Sequence, residues 1–172
     1  MTKLTSGVVG LFSGMALVIL AGYLFVASGR MPVATRGEPL PLERTLARTA
    51  LHAAIGKEED LPAPFPADEK HLVSGARIYR AQCAVCHGFP GQPPSAISKG
   101  MFPKPPQLLP PEKGVTDDPV GEIHWKVKNG IRLTGMPGYE STLSETEIWE
   151  VSLFLLKADH LPPAALQAAR EK

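Results

Sequence analysis

The five residues Cys83-Ala84-Val85-Cys86-His87 restrict the folds open to this chain more than any other feature. Two cysteines three positions apart, followed at once by a histidine, are the signature of covalent haem attachment. Each thiol can form a thioether with the porphyrin while the imidazole binds the iron. A zinc knuckle, a disulfide or a redox pair can also use Cys-x-x-Cys. The chain has only two cysteines, however, and a structural zinc site needs about four ligands. The motif therefore favours haem attachment.

Two amphipathic helices are predicted on either side of this motif. Asp68 can cap a helix that runs to about Gln82, with an apolar face that includes Gly75 and Tyr79. Ser144 and Glu147 have the spacing of a capping box, which predicts that the last helix begins just after Leu143. A third helix is predicted over residues 122–129.

A Gly-Met-Pro-Gly turn at residues 135–138 presents Met136, whose thioether is a soft ligand for iron. Most methionines fill cores, and Met101 in a Pro-rich segment is the one rival for such a role.

Taken in order, these motifs make residues 68–160 resemble a class I cytochrome c, a small all-helical monohaem electron carrier. The resemblance implies one haem c, covalently bound through Cys83 and Cys86 and held between His87 and Met136. It also implies that the helices on either side of the haem cross at Gly75 and Tyr79, against Val151 and Phe154.

The resemblance assigns further residues to the haem environment. Trp125 is expected in the core near the haem edge, and Arg132 is expected near a propionate, because a buried propionate needs a donor or a cation. Related domains often have a proline nine residues after the haem histidine, but Ala96 stands there in this chain. The acceptor for the second ring nitrogen of His87 is therefore left open. His71 and His124 are expected at the surface.

A charge-free run of 20 residues from Val8 to Ala27 is long enough to span a bilayer as a helix. A cleavable signal peptide usually has a shorter apolar core behind a more basic start, so an uncleaved anchor is favoured. The arginines after the span would by themselves favour the opposite orientation. In the family, haem is attached outside the bacterial cytoplasmic membrane. We therefore expect a single-pass inner-membrane protein with a periplasmic haem domain.

Between the span and the haem domain, the apolar spacing over residues 42–56 predicts one short helix, and prolines at 62, 64 and 66 predict a stiff spacer. We expect a cytoplasmic N-terminus at residues 1–7, a transmembrane anchor at 8–27 and a partly helical linker at 28–66. The cytochrome domain is expected at residues 67–160 and a C-terminal tail at 161–172.

The expected function is one-electron transfer rather than enzymatic catalysis, because an iron with both axial positions filled has no site for a substrate. A net charge of +1 gives no indication of nucleic-acid binding. The expected partners are membrane lipid and redox proteins, and no small-molecule substrate is expected. The alternative is an integral haem subunit of a larger membrane redox complex. A gas sensor or peroxidase would need a displaceable Met136.

Overall fold

A computed structural model describes residues 3–110 and 114–171 of the chain, and within these ranges it contains helices and no β-strand. The all-helical class expected from the sequence is confirmed. The α-helices are α1 Lys3–Ala27, α2 Glu43–Ile55, α3 Glu69–Ile78, α4 Ala84–His87, α5 Ala96–Gly100, α6 Val120–Asn129, α7 Glu145–Leu156 and α8 Pro163–Arg170.

Two compact units divide the chain, one ending at Glu43 and the other starting at Arg44. The first contains α1, whose segment Thr5–Ala27 has the length and apolarity of a membrane span. A signal sequence has the same properties, so α1 is a candidate anchor by length and composition.

The core of the second unit lies where α3 crosses α7. A Cβ atom at Gly75 would overlap the carbonyl oxygen of Glu150 and crowd the Cβ of Phe154. The rings of Tyr79 and Phe154 lie 5.5 Å apart between their centroids, and both side chains are fully buried. The helix crossing expected at Gly75 is present, since only glycine lets the two backbones approach so closely.

The predicted helix caps are also present. Asp68 Oδ1 accepts a hydrogen bond from the His71 amide at 3.0 Å. At the start of α7, the Ser144 amide donates to Glu147 at 2.8 Å, and the Glu147 amide donates back to the Ser144 hydroxyl at 3.3 Å. The helix expected to run to about Gln82 instead ends at Ile78, and a π-helical turn at Tyr79–Cys83 joins it to α4. Such turns are frequent at functional sites.

The linker and the tail differ from the expected divisions. The predicted linker helix is present as α2, but Ile55 is buried and a 3₁₀ turn at Gly56–Asp60 packs against α6. There the carbonyl oxygens of Glu58 and Glu59 occupy the space where Gly121 has no side chain. Residues 161–172 were expected to be a tail, yet α8 packs against α3 through buried alanines, namely Ala165, Ala168 and Ala169.

Candidate haem site

A cleft in the second unit has an almost wholly apolar lining and a cavity volume of about 140 Å³. Small-molecule and cofactor sites are likewise mostly apolar. Its walls are the π turn with α4, the Pro-rich segment and the segment after α6. The lining residues include Gln82, Cys83, Cys86, His87, Met101, Pro103, Pro105, Pro106, Val127, Ile131, Met136, Tyr139 and Leu155.

His87 enters the cleft at the end of α4, where Gly88 reverses the chain with a φ of 69°. Its Nδ1 atom lies 2.8 Å from the carbonyl oxygen of Pro106. A carbonyl can only accept, so a neutral His87 carries its proton on Nδ1 and keeps the Nε2 lone pair for a metal. Burial lowers the pKa of His87, and the Pro106 bond acts in the opposite direction. The acceptor that the sequence left open is therefore the carbonyl of Pro106.

Cys83 and Cys86 line the same cleft and are free, partly buried thiols. Burial, with a smaller contribution from Cys86, raises the pKa of Cys83 to about 12. Reactive redox cysteines have a lowered pKa in an electropositive, exposed environment. The environment of Cys83 therefore argues against a redox pair of the thioredoxin type.

Met136 reaches the cleft from a turn that is fixed to the end of α6. The Met136 amide donates to the Thr134 hydroxyl at 3.1 Å, and its carbonyl accepts from the Ile131 amide at 3.2 Å. Gly138 lies so close to the backbone of Asn129 that a Cβ there would overlap it. Met101 lines the cleft as well, and the end of its side chain lies against Gly135.

Residues 71–155, just under half of the chain, match the family model described as "Cytochrome C oxidase, cbb3-type, subunit III". The second unit therefore contains a c-type cytochrome domain. The match confirms the family expected from the sequence and implies haem c as its cofactor. The comparisons with curated proteins and with solved structures found no match.

Trp125 and Arg132 are described residues of the cytochrome domain, and neither is among the residues that line the cleft. Trp125 is half-buried, and its carbonyl accepts a hydrogen bond from the Asn129 side chain at 3.0 Å. Arg132 is exposed. Their roles at the haem edge and at a propionate remain predictions.

Two tyrosines that were not predicted to support the site hold its wall together. The Tyr79 hydroxyl donates to the carbonyl of Gly88 at 2.8 Å, and the Tyr139 hydroxyl donates to the carbonyl of Gln82 at 3.0 Å. Burial raises the pKa of Tyr139 to about 12, so this hydroxyl stays protonated at neutral pH. Tyr139 thus ties the turn that carries Met136 to the turn that carries Cys83. The sequence signal that could have indicated this role of Tyr139 is its position directly after Met136-Pro137-Gly138.

The expectation that His124 lies at the surface is wrong. Its residue is 3% exposed, its ring stacks on Trp149 with centroids 3.8 Å apart, and its Nε2 atom lies 2.9 Å from Glu145 Oε1. Burial lowers the pKa of His124, and the Glu145 carboxylate opposes this shift. His124 therefore belongs to the packing between α6 and α7, on a part of α6 that does not line the cleft.

Proposed function

We propose that this protein is a membrane-anchored monohaem cytochrome that transfers single electrons. Its haem c is attached through Cys83 and Cys86 and ligated by His87 and Met136. Residues 8–27 are its membrane anchor, and the cytochrome domain lies at the periplasmic face. The observation that carries the proposal is one apolar cleft lined by both cysteines, the histidine and the methionine.

The residues of the cleft have separate roles in this function. The apolar walls exclude water, which favours a large hydrophobic ring. The hydrogen bond to Pro106 fixes the His87 ring and its tautomer, which also raises its strength as a ligand. Haem bound there supplies a one-electron couple at its iron.

Met136 decides between electron transfer and chemistry on a bound substrate. With haem bound, its thioether would occupy the iron position that oxygen or peroxide would otherwise take. The two hydrogen bonds at its backbone hold the turn in one conformation. Methionine also stabilises reduced iron and raises the potential. These properties support a carrier of electrons over a gas sensor or a peroxidase.

The second candidate function is that of a haem subunit in a larger membrane redox complex. The description of the matching family model names a subunit, which favours this possibility. The helix α2, which lies between the proposed anchor and the cytochrome domain in the sequence, also leaves Leu46 exposed. In such a complex the same haem site would exchange electrons with neighbouring subunits.

The variant Met136→Ala tests the ligand assignment. We expect it to lose the weak near-infrared band of sulfur-ligated ferric haem and to bind carbon monoxide when reduced. The reduction potential should fall by on the order of 100 mV, within the roughly 0.8 V range that axial ligands span. Absorption spectroscopy and a potentiometric titration measure both effects.

Met101→Ala is the matched control, because Met101 lines the same cleft and carries the same functional group. It should keep the near-infrared band, because Met136 is unchanged, and it should bind carbon monoxide far more weakly than Met136→Ala does. If Met101→Ala loses the band while Met136→Ala keeps it, the assignment of Met136 is wrong. If the purified wild-type protein contains no covalently bound haem, the proposed function itself is wrong.

A further inference from the structure

The side chain of Met101 lies against the backbone of Gly135, the residue next to Met136. The terminal methyl group of Met101 occupies the space that a Cβ atom at position 135 would need, and its sulfur is nearby. Met101 follows α5, whereas Gly135 belongs to the turn after α6. This contact therefore joins two walls of the cleft that are far apart in sequence.

Gly135 does not lie in the left-handed backbone region, unlike Gly130 at the end of α6 with a φ of 68°. Its φ angle is therefore no obstacle to a side chain. The missing side chain therefore serves to make room for Met101. The long side chain of Met101 thus fills the space that the missing side chain of Gly135 leaves.

We propose that Met101 is a positioning residue that packs against the Gly135–Met136 turn and fixes how far the Met136 thioether reaches into the cleft. This inference rests on the proposed function, in which Met136 binds the iron. Met101 does not itself bind the metal. Its part is to fill the space beside Gly135, so that the turn is held in place.

The surroundings of Met101 limit how it can respond to a change at Gly135. A free methionine side chain would simply rotate away, because it has three rotatable bonds. Met101 lines the cleft, however, so one direction of rotation leads into the space that the haem occupies. A second response is a shift of the segment that carries Met136. Either of these two responses would alter how Met136 meets the iron.

Gly135→Ala tests this inference. The added methyl group competes with the Met101 methyl group for the same space, and overpacking of this kind shifts equilibria by about tenfold or more. We expect a weaker near-infrared band in ferric protein and about tenfold faster binding of carbon monoxide to reduced protein. Gly100→Ala is the matched control, because a Cβ at Gly100 meets no atom within 4 Å. It should leave both properties unchanged.

The double variant Gly135→Ala with Met101→Ala distinguishes positioning from general damage. Removal of the long side chain makes room for the new methyl group, so the near-infrared band and the slow binding of carbon monoxide should return. If Gly135→Ala behaves like wild type, or if the double variant remains as disturbed as Gly135→Ala, the inference is overturned. Covalent haem content and circular dichroism establish that each variant has folded.

Failure of the inference can be separated from failure of the proposed function. If wild-type ferric protein lacks the sulfur band, Met136 is not the ligand and the proposed function fails at that point. If wild type has the band and Met136→Ala loses it, the ligand assignment stands. The Gly135→Ala variant and its double variant with Met101→Ala then test the positioning role of Met101 alone.

Discussion

At the residue scale, Gly75 is required by the contact between two helices. A Cβ at this position would overlap the carbonyl oxygen of Glu150, which belongs to the backbone of α7 and cannot rotate away. The role was predictable because a glycine four residues before an aromatic residue, on the helix that precedes the haem motif, is typical of the family. Tight packing of this kind makes the helix crossing sensitive to a single methyl group.

We expect Gly75→Ala to lower the free energy of unfolding by about 3 kcal/mol, at the upper end of overpacking effects. Denaturant titration of the haem-containing protein measures this change. Gly100→Ala, whose Cβ meets open space, should change it by less than about 0.5 kcal/mol. Equal stability of the two variants would show that α7 can move away from α3.

The residues of the proposed haem site could be named from the sequence, because each belongs to a local sequence pattern. Cys83, Cys86 and His87 are read from five consecutive residues, and Met136 from a four-residue turn. The contact between Met101 and Gly135 was not predictable in this way. It joins segments separated by more than thirty residues, and no spacing rule connects them.

At the scale of elements, the rotation of α6 about its own axis determines which side chains reach the cleft. Neighbouring residues on a helix point about 100° apart, so a modest error in the assumed rotation exchanges a buried position for an exposed one. His124 was expected at the surface and Trp125 in the core. The structure buries His124 and leaves Trp125 half-buried. The cap of α7 was correctly predicted, since a capping box depends only on local spacing.

The joint between α6 and α7 should make stability depend on pH. Burial lowers the pKa of His124 in the folded protein, whereas its pKa in the unfolded chain is about 6.5. As the pH falls below that value, the unfolded chain takes up a proton that the folded protein resists. The free energy of unfolding should therefore decrease from about pH 6.5 downward.

The groups that act on His124 come from three elements: Glu145 on α7, Glu58 in the 3₁₀ turn and Lys128 on α6 itself. The pKa of Glu145 is lowered, mainly by its hydrogen bond with Lys128, so this carboxylate stays charged in the same pH range. His124→Phe keeps a ring against Trp149 and removes the titration. Denaturant titrations at several pH values should give a flatter profile for this variant. If the free energy of unfolding changes with pH equally in wild type and in His124→Phe, His124 is not the cause of the pH dependence.

At the scale of the whole molecule, the described lysines and arginines of residues 99–132 differ in whether a carboxylate pairs with them. Lys126 pairs with Glu122 at 2.5 Å and Asp118 at 3.3 Å, and Lys128 pairs with Glu145 at 3.0 Å. Of the described cations in this region, Lys104 is exposed and lines the cleft. Lys99 and Arg132 are also exposed. Lys113 lies outside the described residues.

These exposed cations should attract an anionic redox partner to the cleft. We expect oxidation of the reduced protein by hexacyanoferrate(III) to slow as salt is added, since the screening length is about 10 Å at 0.1 M. Reversal of Lys99 and Lys104 to Glu should flatten this dependence. Lys70→Glu is the control, because it reverses an exposed lysine of α3 that does not line the cleft. A wild-type rate that is indifferent to salt would contradict the prediction.

The helix α8 lies beyond residues 71–155, the stretch that matches other members of the family, yet its alanines close the core against α3. The stretch that matches the family is therefore shorter than the stretch that packs into one core. A gene fusion that joined the recognisable part to another protein at residue 155 would keep every residue of the proposed haem site but would remove α8 from its place against α3. The packed core thus extends beyond the recognisable domain, as far as the buried alanines of α8, namely Ala165, Ala168 and Ala169.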